Sequence, residues 1–138
     1  MTEFIRLISA KDTYPLRHAV MWPDKPINYI ILPNDEEGIH LGLYVNDALV
    51  SVVSLFIENK EAQFRKLATA NLEQGKGYGG RLLSHLITYV EGEKVNKIWC
   101  NARVEKIDFY LKFGFKSNNT VFTKHEIDYV VMEKMIIR

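Results

Sequence analysis

Cysteine is nearly absent from this chain: Cys100 stands alone, so no internal disulfide can form. The beginning of the chain lacks the apolar core of a secretory signal, and no apolar run approaches the roughly 20 residues that a membrane-spanning helix needs. A charge of one sign is missing too. Lys and Arg number 18 against 17 Asp and Glu, and the formal net charge of +1 gives no reason to expect nucleic acid or an anionic membrane as the main partner. No group of His, Cys, Asp and Glu has metal-ligand spacing, and no repeat, low-complexity tract or interdomain linker interrupts the chain. These absences leave one domain spanning residues 1–138, with 47% hydrophobic residues to build a sizeable core, in a reducing cytoplasm.

What is present is concentrated between Leu67 and Leu83, where a strand-like run passes through a glycine-dense turn into an amphipathic helix. Gly75, Gly77, Gly79 and Gly80 have no Cβ, so the backbone there is free to take positive φ and to approach a ligand closely. The first amides of the following helix lack intrahelical partners, and with the helix dipole they attract a pyrophosphate. Lys76 adds a mobile positive charge. The P-loop pattern fails, because Ala70 stands where its first glycine belongs and Gly77 where its hydroxyl residue belongs. The dinucleotide pattern G-x-G-x-x-G is met by Gly75, Gly77 and Gly80, but the next strand-like run, Lys97 to Arg103, lacks the acidic residue that a ribose requires. A third pattern, Q/R-x-x-G-x-G/A, is met by Gln74, Gly77 and Gly79.

That third pattern, with the F-Y-x-x-x-G-F run of Phe109, Tyr110, Gly114 and Phe115, resembles the two signatures of the GCN5-related N-acetyltransferase (GNAT) superfamily. The resemblance implies an α/β (α+β) fold: a mixed, mostly antiparallel central sheet flanked by helices, with a splayed parallel strand pair holding acyl-CoA. It implies that Leu67, Ala68 and Thr69 line the gap, that Gln74, Gly75, Lys76, Gly77, Tyr78, Gly79 and Gly80 form the cradle, and that Arg103 lies at the far strand. Many members carry Asn and Ala where this chain has Arg103 and Lys106, so the contacts of that asparagine are not carried over. A homodimer is frequent among such proteins.

Along the rest of the chain, Glu3 to Ile8 reads as a strand, followed by a short helix capped by Asp12 or Thr13 with Pro15 near its first turn and Leu16, Ala19 and Val20 inward. Pro23 and Pro26 end that helix, and Trp22 to Gly38 reads as a loop or irregular helix with an acidic tip at Asp35, Glu36 and Glu37. Ile39 to Val45, Leu49 to Ile57 and Glu61 to Thr69 form a meander turned at Asn46-Asp47 and Asn59-Lys60. The helix after the cradle buries Leu82, Leu83, Leu86, Ile87 and Val90. A second helix, Val104 to Lys112, packs by Val104, Ile107 and Leu111 and is stopped by Gly114; Ile127 to Met135 closes the sheet, and Trp99 and Phe115 read as core.

The chemistry implied is acyl transfer from acetyl-CoA, without a metal, to a primary amine of a small molecule or peptide. A backbone N–H between Leu67 and Thr69 polarises the carbonyl, and Tyr110 protonates the departing sulfur or packs beneath it. Glu58, Glu61, His40 and His125 are open as the base, with His40 equally readable as a hydrogen-bonded sheet residue and His85 as solvated. Arg17, His18 and Trp22 fall where the acceptor side of such a fold lies, or form a surface helix with one core tryptophan; Cys100 reads as a small buried hydrophobe. Two readings of other classes stand beside this one: a noncatalytic acyl-CoA-binding sensor module, and an NAD-binding oxidoreductase, against which count the missing acidic residue and the meander.

Overall fold

The computed structural model describes residues 2–136. Its strands are β1 (Glu3–Ile8), β2 (Ile39–Val45), β3 (Ala48–Glu58), β4 (Glu61–Thr69), β5 (Lys97–Arg103), β6 (Lys116–Lys124) and β7 (Ile127–Met135). Its helices are α1 (Ala10–Met21), α2 (Tyr78–Glu91) and α3 (Ile107–Leu111). Both expected hairpin turns form with two residues at positive φ, Asn46 at 50° and Asp47 at 69°, then Asn59 at 53° and Lys60 at 64°. Left-handed pairs of this kind match the twist of the flanking strands, which is why Asn and Asp are favoured there. His125 and Glu126, at 53° and 64°, repeat the device between β6 and β7.

The strands form one sheet in the order β1-β2-β3-β4-β5-β7-β6. Every neighbouring pair is antiparallel except β4 and β5. The core lies where α2 covers the sheet: Leu82, Leu83, Leu86, Ile87 and Val90 are all buried, against Leu41, Leu43, Val53, Leu55 and Ile98 among others. Each such side chain contributes about 1.5–3 kcal/mol by leaving water. Phe115 is buried as expected, whereas Trp99 is only half-buried.

Four expectations are corrected. Strand β6 was not expected, because its sequence Lys-Ser-Asn-Asn-Thr-Val-Phe-Thr-Lys lacks apolar alternation; as an edge strand paired only with β7 it leaves most side chains in solvent. Helix α1 is capped by Ser9, whose hydroxyl accepts from the Asp12 amide while Asp12 accepts from the Ser9 amide, so Pro15 lies inside the helix. Its buried residues are Ala10, Thr13 and Arg17; Leu16 and Val20 are half-buried and Ala19 is exposed. The element after β5 splits into a 3-10 turn, Val104–Lys106, and α3. It packs by Ile107, Phe109 and Tyr110, with Val104 and Leu111 exposed. Gly114 does end this region, at φ +88°.

Candidate active site

Strands β4 and β5 pair only through Glu61↔Lys97, Ala62↔Ile98 and Gln63↔Trp99, and then part. A β-bulge follows just beyond the point of parting. Between Ser54↔Arg65 and Val52↔Ala68, β4 carries one residue more than β3, and Lys66 absorbs it at φ +58°. A left-handed conformation costs a non-glycine residue about 1 kcal/mol or more. Past the bulge, the edge of β4 facing β5 has no strand to bond, and one of its groups, the Thr69 carbonyl, instead accepts from Gln74 Nε2 at 3.0 Å.

The cradle closes one end of this gap. Gly75 and Gly77 take φ +82° and +87°, and Gly77 caps α2, with the Arg81 amide the first to reach back, to the Gly77 carbonyl at 3.0 Å. Gly79 and Gly80 have ordinary helical φ, contrary to the expectation of freedom at all four, and their role is close approach. A Cβ would stand 3.3 Å from Thr69 Oγ1 at position 79 and 3.2 Å from Phe113 Cζ at position 80. Gln74 also donates to Asn71 Oδ1, so its side chain braces the loop, and Lys76 pairs with Glu73 at 3.1 Å on the surface. Tyr78 is buried in the core cluster.

A cleft of about 1180 Å³ runs the length of the gap, lined by Leu67, Ala68, Thr69, Gln74, Gly75, Gly77, Tyr78, Gly79, Gly80, Arg103 and Tyr110. That exceeds the roughly 300–1,000 Å³ of an ordinary small-molecule site and leaves room for two substrates. Tyr110 stands at the fork, its ring against Phe64, Phe109 and Phe115, and among the described residues its hydroxyl has no hydrogen-bond partner. Burial, then the neighbouring Cys100, pushes its phenol above the ordinary value, so it stays protonated at neutral pH. Burial likewise pushes the Cys100 thiol up to about 12, which leaves it a thiol and a poor nucleophile.

The family described as "Acetyltransferase (GNAT) domain" matches residues 18–136. The chain belongs to this family. An uncharacterized N-acetyltransferase of Bacillus subtilis (strain 168), YitI, is 28% identical over 142 residues, covering 96% of this chain and 95% of its own. The ribosomal-protein-S18-alanine N-acetyltransferase of Escherichia coli superposes with a TM-score of 0.84 at 19% identity, over 99% of this chain and 96% of that one. An aminoglycoside 6'-N-acetyltransferase solved with coenzyme A superposes with a TM-score of 0.77 at 16% identity, over 98% of both. The protein is thus a GNAT-fold N-acetyltransferase, and the family uses acetyl-CoA.

At the end of the GNAT cleft away from the cradle, Trp22, Tyr29 and His125 meet edge to face, with Tyr29 Oη 3.0 Å from His125 Nε2. Tyr29 carried no recognisable signal, lying in a 3-10 turn, Ile27–Ile30, within the least patterned stretch. Arg17 and His18 are not part of this wall. Arg17 is fully buried behind it, donating twice to Asp35 at 2.8 and 2.9 Å and also to the Ile30 carbonyl and Ser54 Oγ. Asp35, read from sequence as part of an acidic tip, is buried with it. His18 Nε2 donates to the Lys25 carbonyl. His40 is buried as well: its Nε2 donates to the Asp35 carbonyl, and its Nδ1 shares a hydrogen bond with Ser54 Oγ. Among the described residues no group of three His, Cys, Asp or Glu is placed to hold a metal, and no helix is long and apolar enough to cross a membrane.

Proposed function

We propose that this chain moves an acetyl group from acetyl-CoA directly to a primary amine of a small molecule or peptide. The observation that carries the reading is the opening of β4 from β5 beyond Gln63 and Trp99, with glycine-capped α2 at one end and Tyr110 at the fork. The unpaired edge of β4, from Leu67 to Thr69, suits the amides of a pantetheine arm as an added strand would, and the Gly75 to Gly80 amides suit its pyrophosphate. Arg103 adds a cation at the end of β5. Acetyl-CoA supplies an activated thioester carbonyl; everything else is asked of the chain's own groups.

A β4 backbone N–H between Leu67 and Thr69 stabilises the negative charge that develops on the carbonyl oxygen. Tyr110 gives its phenolic proton to the sulfur as the C–S bond breaks. Of the four residues open as the base, Glu58 and Glu61 face each other at the β3–β4 hairpin end and His40 is locked in the Arg17 network. His125 alone of these lines the cleft, and it takes the proton that the amine loses as the N–C bond forms. The protonated Cys100 thiol favours direct attack over an acyl-cysteine.

Calorimetric titration with acetyl-CoA, with NADH as control, tests the reading. Saturable acetyl-CoA binding that disappears in a Gly77→Asp, Gly79→Asp variant, followed by release of free thiol in an amine screen, is expected. Binding of NADH alone, binding of neither, or acetyl-CoA binding with no transfer to any amine defeats it.

A further inference from the structure

We propose that the acceptor end of the cleft selects a small amine that also carries an anionic group, a carboxylate or a phosphate, held between Lys66 of β4 and Lys124 of β6. The body of that amine would lie against Trp22 and Tyr29. The proposal rests on the acetyl-transfer reading and names its acceptor class.

Arg65, Lys66 and Lys124 all line the cleft, and among the described residues none has a carboxylate within ion-pair distance. Among the described residues only two carboxylates line it, Glu73, already paired with Lys76, and Glu105, exposed in the turn after β5. Asp35 lies behind the wall, taken by Arg17. A polyamine or aminoglycoside would therefore bring ammonium groups against fixed cations in a partly desolvated cleft, where like charges repel more strongly than in water.

Two features single out Lys66 within this lining. The bulge gives it a backbone conformation rare for lysine, at a position where β4 abandons its neighbour. Burial and the charges of Arg65, Arg17 and Lys124, only partly offset by Asp35, press its ammonium down to about 8, so an arriving anion relieves a repulsion already present. None of the charges acting on it belongs to the cradle, which separates this cationic patch from Lys76 and Arg103 on the donor side. Lys124 and His125 both belong to the cleft lining, where β6 turns into β7.

The test is steady-state acetyl transfer, read as free thiol, on matched acceptors: L-phenylalanine with 2-phenylethylamine, O-phosphoethanolamine with ethanolamine, and spermidine as polycation. The expected result is a kcat/KM about tenfold or more higher for the anionic member of one pair, the pair itself telling carboxylate from phosphate, with spermidine slowest. In a Lys66→Gln, Lys124→Gln variant that ratio falls toward one while acetyl-CoA affinity holds within about twofold. A neutral or polycationic preference, or a ratio unmoved by the variant, overturns the proposal and leaves acetyl transfer standing. If no acceptor in the panel turns over, the CoA-loaded protein is titrated with N-acetyl-L-phenylalanine, O-phosphoethanolamine and N-acetyl-2-phenylethylamine. An anion bound more tightly than the neutral amide, and weakened by the variant, supports the proposal; equal or absent binding overturns it. Absence of acetyl-CoA binding itself removes the functional reading and this proposal together.

Discussion

Replacing Arg17 by Met should cost the protein about as much stability as any single substitution in it. Arg17 is 0% exposed and Asp35 2%, and the guanidinium supplies both side-chain partners of that carboxylate. Without it Asp35 keeps only the Leu32 amide, at 2.8 Å, and a buried charge left so poorly compensated costs about 3–5 kcal/mol. For a chain of this size about 4 °C of melting temperature accompanies each kcal/mol, so the midpoint should fall by roughly 12–20 °C. Thermal unfolding followed by far-UV circular dichroism reads this, and an Arg17→Met, Asp35→Leu variant, which buries no charge, should recover most of the loss. The pH dependence gives a second handle. Burial alone would raise the Asp35 pKa, but the Arg17 and Leu32 hydrogen bonds and the Arg17 charge outweigh it and hold the carboxyl below its ordinary value. The folded state therefore binds this proton less readily than the unfolded chain. The pair's contribution is full above about pH 4 and fades as pH falls through the folded value, narrowing the gap between the wild type and the double variant. A single Arg17→Met variant that melts within 3 °C of the wild type at neutral pH would refute the reasoning and reopen Arg17 as a ligand-binding residue.

Tyr110→Phe should lower kcat by about 10²-fold or more while acetyl-CoA affinity by calorimetry is retained, since only the proton and not the ring is removed; full activity would reduce Tyr110 to packing. His125→Gln should lower kcat/KM by a similar factor and flatten the acidic limb of the pH–rate profile, whereas a merely structural role would leave that limb in place. Gly75→Ala and Gly77→Ala should each cost about 1 kcal/mol through positive φ, read by chemical denaturation. Both should also weaken acetyl-CoA binding, because relief of the strain shifts the turn whose amides are proposed to meet the pyrophosphate.

The cradle end of the cleft could be read from sequence because each of its parts is local. The stripe of α2, the paired left-handed turns of the meander and the glycines at the α2 cap are each fixed by residues a few positions apart. The rest depends on partners distant in sequence. The inner face of α1 turned out polar because Arg17 meets Asp35 eighteen positions on, a pairing that helical periodicity cannot express. Strand β6 has one neighbour and a solvated face, so nothing in its composition had to alternate.

The acceptor end is the extreme case of this division. Tyr29 and His125 touch from 96 positions apart, and Lys66 lines the same cleft through a register shift inside a strand whose sequence runs without a break. A glycine pattern announces a phosphate because backbone geometry must be met whatever else varies, whereas an acceptor wall needs only side chains that happen to converge. Fold likeness to proteins that acetylate a ribosomal protein or an aminoglycoside consequently says little about this chain's amine. The proposed patch of Arg65, Lys66 and Lys124 would bear on it directly, and its charges would oppose a polycation.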